Sequence, residues 1–375
     1  MKQISYFLFS LVLLLPSCAR QKSFEAASLS DVSILIDLNS VETVPLKLGN
    51  IRYVPLETSD ECLIGRANKV LVKHGKIYVA DFYQAMSLFV FDLEGKFLFK
   101  IARRGQGPNE YISFRDFDIH SNGDIYILDN HGQKIMVLNS EEEQLRQIKL
   151  EMYYPFSNLC VIDDKMYWAK FMHGKRVADL GVYDMENEQL TFLLKDEKFL
   201  YDIHVALTSY KFYYSPENTY YSPPQSEIIY ALKSDGIYPA IGIKNLPIPP
   251  PEVMEEWERN KETQEFSIIY SSYFLEGMNI YETDYFISIG YTIGMSWRTL
   301  LYDKRSNSAR IVLGEEYFYK TGSTNINGST GKEFFNVVSF DPDNVPNKRI
   351  LESREELKNW SEEDNPVISF FTLDM

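Results

Sequence analysis

The stretch Arg103-Arg104-Gly105-Gln106-Gly107-Pro108-Asn109-Glu110-Tyr111 joins two guanidinium groups to a glycine-rich turn. Successive backbone N–H groups in such a turn can form a concave nest for an anion, and flanking arginines add positive charge to it. The same residues suit a rigid crossover between two sheets, and that role is the better supported. Gly105 and Gly107 would supply positive φ, Pro108 would fix the turn, and Glu110 and Tyr111 would pin the next element. The stretch is not a phosphate loop: Gly-Lys-Ser/Thr is missing and no helix follows. Asp81 and Asp129 are candidate calcium ligands, although carboxylates recurring at equal positions of a repeat also fit a turn-capping role. His74, His120, His131, His173 and His204 are scattered without HxH or HxxxH spacing, and no Gly-x-Ser-x-Gly elbow is present, so neither a metal triad nor a serine hydrolase is signalled. Aromatic clusters are the better lead to a binding surface: Tyr153-Tyr154, Tyr210-Lys211-Phe212-Tyr213-Tyr214, Tyr220-Tyr221 and Tyr317-Phe318-Tyr319. Tyrosine joins an apolar face to a hydroxyl and suits sugars or peptides, while packing between strands is its commoner use.

These residues must be positioned by β-structure. Ile77-Tyr78-Val79-Ala80-Asp81 recurs as Ile125-Tyr126-Ile127-Leu128-Asp129, 48 residues further on. Each copy is preceded by one strand (69–73, 114–119) and followed by two more (88–92 and 97–101; 135–139 and 145–150). Short turns separate them, and Asn122-Gly123 is a strong hairpin signal. Weaker copies of four strands follow over 159–194 and 211–243. A fifth is read from 267–274, 285–289, 298–303 and 309–313. Segments 333–340 and 367–373, with 33–38 and 51–56 from the N-terminal side, would make a sixth. Four strands per repeat predict an all-β, six-bladed β-propeller, its ring closed by strands from both chain ends. Two β-sandwiches or a β-helix would not explain the recurring Ile-Tyr-x-x-Asp strand. Two helical pieces interrupt the pattern. One is an insertion at about 251–263 with Val253, Met254 and Trp257 on one face. The other, over 353–360, has a capping-box spacing between Ser353 and Glu356.

The chain has 375 residues, 45% hydrophobic, with 26 Tyr and 24 Phe, enough for a large core and a bias towards strands. Lys and Arg number 38 against 53 Asp and Glu, a net charge of −15, which disfavours nucleic acid and anionic membrane as partners. Residues 1–17 read as a signal peptide: Lys2, an apolar run from Ile4 to Leu15, then Leu15-Pro16-Ser17-Cys18, similar to a lipoprotein cleavage box. Cys18 is the expected lipidation site and residues 18–30 the tether to a propeller over 31–375. Cys62 and Cys160 fall in different repeats and are expected as two buried thiols.

Several motifs in combination, Tyr53-Val54-Pro55-Leu56-Glu57-Thr58, Leu63-Ile64-Gly65, Phe91-Asp92-x-x-Gly95-Lys96, Gly105 to Tyr111 and Asp364-Asn365-Pro366-Val367, resemble the 6-bladed β-propeller family of bacterial lipoproteins, NHL-repeat-like propellers of Gram-negative gut bacteria. The resemblance implies an outer-membrane lipoprotein acting beside nutrient-uptake systems, and it transfers no catalytic residues. The expectation is therefore a lipid-anchored binding or interaction module with an envelope protein, a glycan or a peptide as partner and no required cofactor, calcium being the one candidate. The competing expectation is a lyase or hydrolase acting at the axial funnel.

Overall fold

Apolar residues run without alternation through the central strands because both faces of every blade are covered by a neighbouring blade. Ile77 and Val79 point to one side and Tyr78 and Ala80 to the other; all four are buried, in two different core clusters. The computed structural model describes residues 27–150, 156–170, 178–196, 212–215, 218–223, 225–260, 272–274, 277–294, 296–313, 320–321, 326–340 and 354–374. They form six sheets, each with four antiparallel strands, ringed about one axis: a six-bladed β-propeller.

Blade one is Lys69–Lys73, Lys76–Asp81, Ser87–Asp92 and Phe97–Ile101. Blade two is Asp116–Ile119, Ile125–Asp129, Lys134–Leu138 and Gln144–Lys149. Blade three is Phe156–Ile162, Lys165–Lys170, Ala178–Asp184 and Gln189–Asp196. Blade four is Phe212–Tyr214, Thr219–Tyr221, Ile228–Lys233 and Gly236–Lys244. Blade five is Asn279–Glu282, Phe286–Ile293, Ser296–Asp303 and Ser308–Leu313. Blade six is Gly328–Ser329, Phe334–Val338, Val367–Leu373 and, from the N-terminal side, Leu48–Pro55. A separate hydrophobic cluster fills each of the six gaps between blades.

The repeat persists in sequence because each unit needs the same turn caps. The residue ending the third strand accepts backbone N–H groups of the following turn through its Oδ1: Asp92 from Glu94 and Lys96, Asn139 from Glu141 and Glu143, Asp184 from Glu186 and Asn187, Asp303 from Arg305. These side chains close the turn that the backbone alone leaves short of acceptors.

Both chain ends close the ring, as expected, but with different strands. Ile34–Asp37 is not part of blade six. It adds in parallel to the outer strand of blade four, Ile36 facing Ile243. Glu42–Pro45 adds in the same way to blade five, Val44 facing Val312. Only Leu48–Pro55 enters blade six, paired with Val367–Leu373. The N-terminal segment thus straps the outer rims of blades four, five and six in turn. An edge strand with one buried side chain in two carries the same apolar pattern as a blade strand, which is why 33–38 reads as one. The innermost strand of blade five is Asn279–Glu282 rather than 267–274; residues 267–271 lie outside the described residues. Pro251–Asn260 is helical, and the side chains of Met254 and Trp257 lie outside the described residues. The second helical piece is a single 3-10 turn, Glu355–Leu357, anchored by Leu357 and Trp360 against Val338 and Val367; Ser353 lies outside the described residues.

Candidate binding site at the propeller axis

The first strands of the six blades surround the axis. Each is bonded to its own sheet on one side only, so its other edge presents N–H and C=O groups that need partners. The two halves of the ring meet that need differently.

On the side of blades one to three, charged side chains complete the edges. Lys69 Nζ donates to Asp116 Oδ1 and to Phe117 O, both at 2.7 Å. Lys73 Nζ donates to Asp118 Oδ1 at 2.8 Å and to Ile119 O at 2.9 Å. The carboxylates pass the connection on. Asp116 accepts the N–H groups of Phe117 and Leu159, and Asp118 those of Ile119 and Val161, at 2.7–2.8 Å. Tyr214 of blade four donates its hydroxyl to Leu159 O, and the Lys73 ammonium lies 3.9 Å from the centre of its ring. Below this lattice His74 donates through Nε2 to His120 O and His120 through Nε2 to Asp163 O, each at 3.0 Å. Burial raises the Asp116 carboxyl above its ordinary range, opposed by the Lys69 ammonium and by the N–H groups it accepts. Burial likewise pushes up the Tyr214 hydroxyl and the Cys160 thiol. Asp116 and Asp118 are therefore occupied in holding three blades together.

On the side of blades four to six and along blade one, a cavity of about 430 Å³ opens. Its wall carries Tyr213 and Tyr214, Asn279 and Tyr281, and Asn327 with Ser329. Tyr213 donates its hydroxyl to Asn279 Oδ1 at 2.7 Å and meets Tyr281 edge to face at 5.6 Å. Asn327 is fixed by accepting the Val337 N–H and by donating its own N–H to Asn336 Oδ1. Trp297 also lines the cavity. Its ring packs against Gly290, where a Cβ would fall 2.3 Å from Trp297 Cζ2. The part of the wall from blades four to six has aromatic faces, amides and hydroxyls; the charged groups that line the cavity are Lys69 and Lys73 of blade one, each paired with a carboxylate.

The 103–111 loop is the crossover from blade one to blade two, and several of its N–H groups are already donated within it. Gly107 N–H already donates to the loop's own carboxylate, Glu110 Oε2, at 2.7 Å. Gly105 N–H donates to Tyr111 O, and Tyr111 N–H to Arg103 O. Tyr111 is fully buried and donates its hydroxyl to Met86 O at 2.6 Å. The positive φ expected at Gly105 and Gly107 is absent. Glycine is needed at 105 for another reason: a Cβ there would lie 1.9 Å from Glu110 Oε2. Arg103 donates to Glu142 O and Gln147 to Pro108 O. Arg104 is exposed, as is Gln106.

Asp81 and Asp129 are turn caps. Asp81 takes the N–H groups of Gly65 and Arg66 on Oδ2 and those of Tyr83 and Gln84 on Oδ1. Asp129 takes Ile112 on Oδ2, and Ser113 and Gly132 on Oδ1. Each joins the incoming crossover to the next turn of its blade. Among the described residues no group of His, Cys, Asp and Glu is arranged to hold a metal ion. Tyr220 and Tyr221 pack between blades. Cys62 and Cys160 are buried free thiols. Cys18, Tyr153, Tyr154, Tyr210, Tyr317, Phe318, Tyr319, His173 and His204 lie outside the described residues. Sequence reasoning missed Lys69, Lys73, Asp116 and Asp118. Their signal was present: charges set into an otherwise apolar inner strand must be paired. It also missed Asn279 and Trp297, whose convergence no spacing in the chain announces.

The family model for a domain of unknown function, DUF4934, matches residues 44–372. No curated protein matches the chain. Among solved structures, a Bacteroides fragilis protein inferred to be exported gives a TM-score of 0.71 at 18% identity, covering 91% of this chain and 99% of that one. A member of the DUF4221 family from Bacteroides vulgatus gives 0.54 at 12% identity, over 88% of this chain and 98% of that one. A virginiamycin B lyase from Staphylococcus aureus reaches 0.46 at 10% identity over 86% and 100%, too slight a likeness to bear on function. At such identities the likeness is one of fold.

Proposed function

The chain belongs to the DUF4934 family, and from that premise and the geometry of the axis we propose that it is a binding module holding a neutral, hydroxyl-rich ligand, an oligosaccharide, in the axial cavity. The observation that carries this reading is the division of the ring. Asp116 and Asp118 are consumed by backbone N–H groups and lysines, while the open wall offers Tyr281 and Trp297 as faces for a sugar ring and the amides of Asn279 and Asn327 as hydrogen-bonding groups. Aromatic faces with a few placed amides are what a pyranose requires, since one face of the sugar is apolar and its rim is hydroxyl. The chain would act outside the cytoplasm. Residues 1–17 would direct export, a lipid on Cys18 would hold the domain at the outer membrane, and the propeller would serve an uptake system there. The apolar run ending at Ser17-Cys18 supports that address. Calcium has no part in the reading, because Asp81 and Asp129 are saturated with N–H donors.

The test is calorimetric titration of the full chain with neutral gluco-, manno- and xylo-oligosaccharides, repeated with Trp297→Ala and Asn279→Ala. Binding to one class, weakened about tenfold by each variant, is expected, the cost of one stacking face or one buried hydrogen bond. No binding by any class removes the reading. Cleavage products in the titrated samples would replace it with the lyase or hydrolase alternative.

A further inference from the structure

The face that carries the turns after the second strands also carries a patch the axial cavity does not use. Tyr83 is 63% exposed, Leu63 53% and Ile112 42%, three large apolar side chains on the crossovers and turns of blades six, one and two. Around them stand Arg66, Arg104 and Arg115, all exposed. The same caps that pin the blades gather them. Asp81 holds the backbones of Arg66 and Tyr83 on its two oxygens, and Asp129 holds that of Ile112. Arg104 bridges to Tyr111, next to Ile112, and Arg115 Nη1 donates to Tyr83 Oη at 3.5 Å. Among the described residues no carboxylate lies within ion-pair distance of Arg66, Arg104 or Arg115.

We propose that this patch docks an acidic segment of a partner protein, Tyr83 forming the centre of the contact and Arg66, Arg104 and Arg115 taking the partner's carboxylates. Arginine and tyrosine are the side chains that concentrate binding energy at protein interfaces, and guanidinium matches carboxylate geometry with two parallel hydrogen bonds. The basic groups are arginines set among apolar side chains. An anionic membrane would instead draw on lysine-rich segments. Arg66 adjoins Ala67 at the rim of the axial cavity, so a partner seated on the patch would stand beside its mouth.

The test is fluorescence anisotropy of the full chain with three probes: a Glu- and Asp-rich peptide, the same peptide with Gln and Asn in their place, and phosphatidylglycerol vesicles. The acidic peptide should bind, and raising salt from about 50 to 300 mM should weaken it several-fold as the charges are screened. The double variant R66E/R115E should weaken it by about a hundredfold and Tyr83→Ala by about tenfold, as for residues central to an interface. These side chains are exposed, so far-UV circular dichroism and the melting temperature should be unchanged. Failure of the acidic peptide to bind overturns the proposal, as does equal binding of the neutral peptide or indifference to R66E/R115E. Binding to vesicles alone would make the patch a lipid site. Association of the chain with itself, abolished by R66E/R115E, would make it a self-contact.

Discussion

Lys69 and Asp116 are both nearly inaccessible to solvent, so removing Lys69 takes the ammonium from a buried carboxyl that keeps only the N–H groups of Phe117 and Leu159. Lys69→Met should cost about 3–5 kcal/mol, the usual result of breaking a buried pair from one side. Lys73 forms the equivalent pair with Asp118 but keeps 21% of its side chain exposed, and water can serve what the pair loses. Lys73→Met should therefore cost roughly half as much. Urea denaturation of the two variants checks the order; equal losses would mean that the lattice does not distinguish its rungs. Gly105 and Glu110 form a second coupled unit. Gly105→Ala drives a methyl group into the Glu110 carboxylate and should cost about 1–3 kcal/mol, as overpacking does. Glu110→Ala makes room for it, so the double variant should lose less than the sum of the single changes, which a double-mutant cycle measures. Neither unit was fully legible in the chain. The sequence predicts a positive φ at Gly105 and the structure has none; glycine is required there instead by a side chain five residues on, which no local pattern names. Lys69 and Asp116 lie in different repeats, and nothing in either strand alone names its partner.

At the scale of the element, the innermost strands decide what the axis can do. Leu159 and Val161 stand on a sheet edge, where amides ordinarily exchange quickly with solvent. Here Asp116 and Asp118 accept them, so both should exchange as slowly as amides in the centre of a blade. Asp118→Ala should speed exchange at Val161 by about tenfold to a hundredfold, the equivalent of the 1–3 kcal/mol that an orphaned donor costs. Leu159, held by Asp116, should change only by the loss of global stability. Exchange followed by NMR separates the two; equal acceleration would show that the edge is protected by burial alone. The strands themselves were readable in proportion to their burial. Blades one and two follow the sequence pattern because both faces of their second and third strands are apolar and buried. The innermost strand of blade six is only Gly328–Ser329, lying in a polar run whose conformation is imposed by pairing with Phe334 and Phe335. Such a strand has no pattern of its own to detect.

For the whole molecule, the question is what the N-terminal segment contributes beyond closing the ring. Blades diverge outward from the axis, and the outer strand of each leaves a free edge. Ile34–Asp37 and Glu42–Pro45 cover that edge on blades four and five, inserting Ile36 and Leu46 into the core. Leu48–Pro55 does something different: it is the outer strand of blade six and joins the two ends of the ring. The two roles should separate under truncation. Removing residues 27–46 takes away the strap and two buried side chains, a loss of about 3–6 kcal/mol at 1.5–3 kcal/mol each. The propeller should still melt in one cooperative step at a lower temperature. Extending the cut through residue 56 also removes Val54 and Leu56 from the gap between blades six and one. It bares the edge of Val367–Leu373, which then offers unpaired N–H and C=O groups to other chains. That truncation should lose the cooperative transition and associate, which thermal circular dichroism and gel filtration would register together. If both truncations melt alike and stay monomeric, the ring is held by its six interblade cores and the N-terminal strand is dispensable. If the shorter truncation already fails, the strap and the closing strand fold as one unit, and the outer rims of blades four and five are as necessary to the ring as its seam.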